Sequence, residues 1–352
     1  MDHFPLSACT AVQLTSADGS PYLFRTCDLD SDVFQSGAHP VSFPAGDPLT
    51  LSCGDISAKH SFFGITFNEN PYWLLDGIND AGLCGGLLML YEGTSLPSHP
   101  QGIIGMEFVT AMLAECADTE EVINYSENIR ILDIPHEGGT TPAMMHFFFT
   151  DIHGKSLILE AADPQNHGKL TAYFPAAGIL TNSPPYPAQL DNLRWFLAHS
   201  PELRGKELNL DGQSISPEAD APHLCSDGTF PASYAAYDRF IRAAVLKSIN
   251  DRQFTDMQML PFGYNIMHAL FEPNTDGLFH YTRLNNGVPQ NPKNSRTLYI
   301  IIYDIRRRSL CIRPHDSLAW SSLRLSDLPD RRCTFSICRD PQKGIIPAEP
   351  LC

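Results

Sequence analysis

The chain of 352 residues contains no run of about 18 apolar residues, the length that a membrane-spanning helix requires. It also lacks basic charge: 24 Lys and Arg stand against 40 Asp and Glu, a formal balance of −16. Nucleic acid and an acidic membrane surface are therefore not expected as partners, and an anionic small molecule would need a local arginine. The ten cysteines form no C-x-x-C pair, and the 13 histidines show no metal spacing, so no zinc site is expected. Gly-x-Ser-x-Gly, His-Glu-x-x-His and a helix-opening Gly-x-Gly-x-x-Gly are all missing, which removes three common catalytic and cofactor-binding frameworks. The opening Met1 to Ala8 has no basic end and is too short to hold an apolar segment. It does not read as a signal peptide, so the expected location is the cytoplasm, with most thiols reduced and buried. There is no internal repeat and no low-complexity stretch.

What is present suits a globular protein with a sizeable core: 43% hydrophobic and 18% charged residues. The length allows one large unit or two intimate ones. Residues 9–15 and 21–27 read as strands around Asp18-Gly19, a hairpin signal. Residues 32–56, rich in Pro, Gly and Ser, read as loop. A strand follows at 61–67, then a glycine-rich turn from Asp76 into a buried strand ending near Leu90. Apolar spacing predicts a helix over 103–116, and Asp118-Thr119-Glu120-Glu121 the capped start of a second. Met145 to Thr150 and Ser156 to Glu160 form a hairpin. Short strands at 170–174 and 178–181 end at Asn182-Ser183-Pro184. Helices are expected at 186–198, 237–250 and 258–271, with a polar arm over about 199–236. A last hairpin spans 298–304 and 309–313, and the chain beyond 325 reads as a loose tail. The order strands, helices, strands, helices, strands predicts an α+β or layered arrangement rather than a doubly wound sheet.

Cys9 stands at the head of the first strand. If residues 1–8 were removed, it would carry a free α-amine beside its thiol. The ordinary pKa values are about 8.5 for a thiol and about 7.7–8.0 for an α-amine, so the amine can take the thiol proton. Arg25 on the next strand could favour the thiolate. The competing reading is a buried, inert cysteine. Asp28 could orient the amine or be a turn residue. Asn182 could donate to an oxyanion or simply form a turn. Arg239, on an apolar helix face, requires a carboxylate or a ligand, or else forms a structural ion pair.

One set of motifs occurs in order along the chain: Cys9-Thr10, Arg25-Thr26-x-Asp28, Asp76-Gly77-Ile78-Asn79-x-x-Gly82-Leu83, Thr150-Asp151-x-x-Gly154-Lys155-Ser156, Gly178-Ile179-Leu180-Thr181-Asn182-Ser183-Pro184 and Arg239-Phe240-Ile241-Arg242. This set resembles the choloylglycine hydrolase family, which includes conjugated bile salt hydrolases and penicillin V acylases. The match covers roughly residues 9–250. It implies an N-terminal-nucleophile hydrolase fold, a four-layer αββα sandwich with two stacked antiparallel sheets. It implies cleavage of a linear amide C–N bond without metal or cofactor. By position, Cys9 is the nucleophile and its α-amine the base, Arg25 and Asp28 hold and tune it, Asn182 contributes to the oxyanion hole, and Arg239 supports the cluster. The arm over about 199–236 resembles the family's assembly segment, so a homotetramer is expected.

The chain departs from the family pattern at three places. Eight residues, ending in Ala8, must be removed to expose the cysteine, where family members often lose only the initiator Met. A substrate-contact position that is usually Asn or Tyr falls at Met89, whose side chain cannot donate a hydrogen bond; a slip of a residue or two would bring in Tyr91. Ala232-Ser233 replaces the family's Gly-Asp after the proline. The expected substrate is a hydrophobic acyl group linked by an amide to a small amine. Conjugated bile salts lead, and penicillin V, N-acyl homoserine lactones and other N-acyl amines are alternatives. A silent member that binds without cleaving is the competitor of a different class.

Overall fold

The turn at Asp18-Gly19 forms as its residues dictate. Gly19 sits at φ +81°, a conformation glycine adopts without strain, and Ser16 N–H donates to Ser20 O at 2.9 Å. The computed structural model describes residues 9–30, 38–67, 70–136, 138–224, 228–249, 254–273, 283–285, 288–290, 295–338, 345–347 and 349–350.

Sixteen of the described strands build two large sheets. In chain order they are β1 (Thr10–Thr15), β2 (Pro21–Asp30), β3 (His39–Phe43), β4 (Phe62–Thr66), β5 (Asp76–Asn79), β6 (Cys84–Met89), β7 (Met145–Thr150), β8 (Ser156–Glu160), β9 (Thr171–Tyr173), β10 (Ile179–Leu180), β11 (Ser295–Asp304), β12 (Ser309–Pro314), β13 (Trp320–Arg324), β14 (Cys333–Ser336), β15 (Ile345–Pro347) and β16 (Glu349–Pro350). One sheet runs β10-β1-β2-β11-β12-β13-β15 and the other β9-β8-β7-β6-β5-β4-β3-β14-β16. Neighbours are antiparallel except for the pair β13 and β15. The helices are α1 (Gly105–Glu115), α2 (Thr119–Ser126), α3 (Tyr186–His199), α4 (Ala236–Ser248) and α5 (Asp256–Leu270).

Side-chain alternation along β2 explains the layering. Phe24 points outward to α5, where a Cβ on Gly263 would lie 2.1 Å from its ring. Arg25 points the other way, into the second sheet, where Asp76 receives it at 2.6 Å. Phe63 of β4 and Tyr303 of β11 also meet across the sheets, ring centroids 6.5 Å apart. Helix α1 covers β5 and β6, while α4 and α5 cover β1 and β2. The layers are helix, sheet, sheet, helix, as the resemblance implies.

Three readings need correction. Residues 32–56 are not all loop: β3 and a hairpin of Pro48–Leu51 with Gly54–Ser57 lie there. Pro44 lies between strands, Pro40 is paired on one side only, and Pro48 is the first residue of Pro48–Leu51, which alternates exposed and buried. Nor is the chain after 325 loose. β14 pairs with β3 in the register Cys333↔Ser42, a partner almost 300 residues away that no local pattern reveals. Asp76–Asn79 is likewise a strand rather than part of a turn. The cap at Asp118 forms as expected, its side chain accepting from Glu121 N–H. The arm over about 199–236 contains a hairpin of Leu208–Leu210 with Gln213–Ile215, tied to α4 by Asp211 and Lys247 at 2.7 Å.

Candidate active site

The antiparallel register of β1 and β2 sets Ala11 opposite Arg25 and Thr10 opposite Thr26. Residues two apart share a face, so Cys9, Arg25 and Cys27 all turn towards the space between the sheets, while Thr10 turns towards α4. Arg25 is 1% exposed, with its guanidinium spread over four partners. Nη1 donates to Leu75 O at 2.5 Å and Asp76 Oδ2 at 2.6 Å, and Nη2 donates to Leu87 O at 2.6 Å and to Cys9 Sγ at 3.6 Å. The absence of a side chain at Gly86 makes room for it: a Cβ there would lie 2.9 Å from Nη1. Asp76 is completed by the hydroxyls of Tyr299 at 2.7 Å and Tyr303 at 2.5 Å. A buried ion pair persists only when its remaining lone pairs are satisfied, and here two tyrosines on one face of β11 do this.

Cys9 is 3% exposed. Its backbone N–H donates to Asn182 Oδ1 at 2.5 Å, and its carbonyl accepts from Arg239 Nη1 at 2.7 Å. Arg239 also donates to Thr10 Oγ1, to Asn182 Oδ1 at 2.9 Å and to Tyr234 O at 3.0 Å. A guanidinium can only donate and a carbonyl can only accept. Arg239 on one side and Met89 O, 3.0 Å from Asn182 Nδ2, on the other therefore fix the orientation of the Asn182 amide. The turn beneath Asn182 is braced by Gln189, which donates to Asn182 O and Pro184 O at 2.6 Å each, and by His146, whose Nε2 lies 2.7 Å from Thr181 O.

The Cys9 thiol is pulled down to about 5. The side chain of Cys27 contributes most, burial opposes it, and the charge and hydrogen bond of Arg25 and the backbone of Asp28 add to the fall. Burial pushes the Asp28 carboxyl well up, against the pull of Arg239 at 3.8 Å. Asp28 accepts from Thr26 at 3.2 Å and from Thr297 at 2.5 Å, which fixes its carboxyl beside Arg239. The structure brings Cys9, Arg25, Asp28, Asn182 and Arg239 together. Met89 joins them through its backbone carbonyl, not its side chain. Asp76 and Cys27 were missed as site residues. Asp76 stands in one of the quoted motifs, but nothing local links it to Arg25.

Among the described residues no group of three metal-ligating side chains occurs, and no helix is long and apolar enough to cross a membrane. Among the described residues Cys9, Cys27, Cys84 and Cys116 are buried free thiols and Cys53, Cys311 and Cys338 half-buried ones, whereas Cys333 is disulfide-bonded.

Two stacked, mainly antiparallel sheets between helical layers, with a cysteine at the head of a strand next to the sheet edge, define the class: an N-terminal-nucleophile hydrolase fold. The sequence model of the linear amide C–N hydrolases of the choloylglycine hydrolase family matches residues 9–315. The chain belongs to that family and is a linear amide C–N hydrolase. It is similar to a bile salt hydrolase/transferase of Clostridium perfringens, 28% identical over 269 residues, 71% of this chain and 75% of that protein. It is also similar to an uncharacterised protein of Paramecium bursaria Chlorella virus 1, 24% identical over 88% of this chain and 97% of that protein. A crystal structure of a variant conjugated bile acid hydrolase from Clostridium perfringens superposes with a TM-score of 0.72 at 20% identity, covering 94% of this chain and 98% of that one. Penicillin V acylase from Agrobacterium tumefaciens gives 0.72 at 16%, covering 97% and 95%.

Proposed function

We infer that the enzyme hydrolyses amides of a hydrophobic acyl group with a small amine, using Cys9 as an N-terminal nucleophile once residues 1–8 have been removed autocatalytically. The observation that carries this reading is the position of the Cys9 thiol, 3.6 Å from Arg25 Nη2, on a residue whose nitrogen is held by Asn182. With the thiol at about 5 and a free α-amine at about 7.7–8.0, the resting pair at neutral pH is thiolate and ammonium. The thiolate attacks the acyl carbon. The hydrogen on Asn182 Nδ2 that Met89 O does not use is available to the developing oxyanion. The ammonium, held by Asn182 Oδ1, gives its proton to the leaving nitrogen. Water then cleaves the thioester, with the neutral amine as base. Arg239 keeps the backbone of Cys9 and the amide of Asn182 in register. No metal or cofactor takes part in this scheme.

Conjugated bile salts lead as substrates because the similar Clostridium perfringens protein is named for them. Penicillin V, N-acyl homoserine lactones and other N-acyl amines remain the alternatives, and Met89 leaves the substrate contact at that position to another group. A homotetramer assembled through the 199–236 arm belongs to the same reading. So does a cytoplasmic location, which the free thiols favour and the Cys333 disulfide opposes. Release of glycine or taurine from conjugated bile salts, set against phenoxyacetate from penicillin V, ranks the substrates. Turnover retained by Cys9→Ala would overturn the mechanism, and a protein that binds bile salts with no turnover at all would be a silent member.

A further inference from the structure

The hydrogen-bond pattern of the first hairpin places a second thiol against the nucleophile. Ser16 N–H donates to Ser20 O at 2.9 Å, so Ser16 and Ser20 form a hydrogen-bonded pair of the antiparallel ladder. Such pairs alternate with non-hydrogen-bonded ones. Following the register from Thr15↔Pro21 to Thr10↔Thr26 makes Leu14/Tyr22, Val12/Phe24 and Thr10/Thr26 hydrogen-bonded. Pro21, which has no N–H, falls on a non-hydrogen-bonded position, as it must. One step beyond Thr10, Cys9 lies opposite Cys27 at a non-hydrogen-bonded position. The Cys9 backbone agrees: its N–H and carbonyl turn away from β2, to Asn182 and Arg239. The α-carbons of such a pair are typically about 4.5 Å apart, inside the window of about 4.4–6.8 Å that a disulfide spans. Both side chains are buried, at 3% and 0% exposure, on the same face of the hairpin, and both are free thiols.

We propose that Cys27 is a resolving thiol for Cys9, closing a reversible Cys9–Cys27 disulfide that switches the hydrolase off when it meets a hydroperoxide. The switching-off rests on Cys9 being the nucleophile; the disulfide itself does not. The Cys9 thiolate attacks the peroxide, the O–O bond breaks, and a sulfenic acid forms as water or an alcohol leaves. The Cys27 sulfur then attacks the Cys9 sulfur. The S–S bond forms, the S–O bond breaks, and the departing hydroxide takes the proton that Cys27 gives up. The two thiols lose two electrons in all, and the peroxide gains them. Arg25 favours the thiolate that begins the sequence. Burial, together with the hydrogen bond and charge of Cys9, holds Cys27 protonated in the resting enzyme. Oxidation of Cys9 to a neutral sulfenic acid removes the charge and so makes Cys27 the better nucleophile. A hydroperoxide, being smaller than an acyl amide, can reach Cys9 by the route the substrate takes.

The test treats the purified, processed protein with hydrogen peroxide and maps its peptides without reduction. The expected product is a cross-linked pair of peptides containing Cys9 and Cys27, two hydrogens lighter than their sum. Amide hydrolysis is lost with the same time course and returns fully on adding dithiothreitol. In Cys27→Ala and Cys27→Ser, Cys9 instead gains two or three oxygens and dithiothreitol restores nothing. Wild-type protein that goes straight to the sulfinic or sulfonic acid with no cross-linked peptide would overturn the proposal. The mass readout needs no substrate. A cross-link in a protein with no hydrolytic activity would count against the functional reading and leave the disulfide standing.

Discussion

Arg25 and Asp76 offer a paired perturbation whose two halves move the nucleophile in opposite directions. Replacing Arg25 with Gln removes a positive charge 3.6 Å from Cys9 Sγ. At an effective dielectric constant of about 20, that charge is worth ~4.6 kcal/mol to the thiolate, or about 3 pK units. Asp76 on the other guanidinium nitrogen takes back part of this, so the expected rise of the Cys9 thiol is ~1–3 units from its value of about 5. Asp76→Asn does the reverse. It leaves Arg25 unopposed and lowers the thiol below about 5. Either change breaks a buried pair and costs ~3–5 kcal/mol of stability. The assay is the pH dependence of Cys9 alkylation by iodoacetamide, read site by site by mass spectrometry, beside urea unfolding of each variant. Both variants lose stability, yet their alkylation midpoints diverge. Midpoints that both rise, or an Arg25→Gln midpoint still near 5, would refute an electrostatic role for Arg25.

The remaining predictions concern pH, geometry and packing. The kcat/KM profile is bell-shaped. Activity falls on the acid side as the thiolate takes up its proton near pH 5, and on the alkaline side as the ammonium is lost near about 8; a profile without the alkaline limb would remove the α-amine from the mechanism. Arg239→Lys keeps the charge but cannot span Cys9 O, Thr10 and Asn182 together, so kcat falls by roughly 100-fold with a smaller change in KM. Gly263→Ala drives a methyl group into the Phe24 ring and costs ~1–3 kcal/mol in denaturant titration, with kcat/KM close to that of the unsubstituted enzyme.

What was legible in the sequence was local. Asp18-Gly19 announced its hairpin and Asp118 its helix cap because turn and cap chemistry is carried by neighbouring residues. Cys9, Arg25, Asp28, Asn182 and Arg239 could be placed by motif, and they do converge. Their contacts could not be read. Asn182 meets Cys9 across 173 residues, and Asp76 meets Arg25 across 51. The Tyr299-x-x-x-Tyr303 alternation was visible, but only the stacking of the two sheets gives those hydroxyls a carboxylate to serve. Within residues 32–56, Pro40, Pro44 and Pro48 speak for loop by composition, while the start of a strand and a strand position paired on one side only tolerate proline, as at Pro48 and Pro40. Cys27 was the instructive miss. Its register opposite Cys9 follows from the hairpin that had been identified, once strand alternation is carried one residue past Thr10.

The claim on which the rest depends is that Cys9 becomes the first residue of the working enzyme and carries the acyl group. Intact mass spectrometry of protein quenched in acid during turnover of a glycine-conjugated bile salt tests it in one measurement. The expected spectrum is a chain beginning at Cys9, part of it heavier by one acyl group. A folded, active chain that still carries Met1 to Ala8 would contradict it.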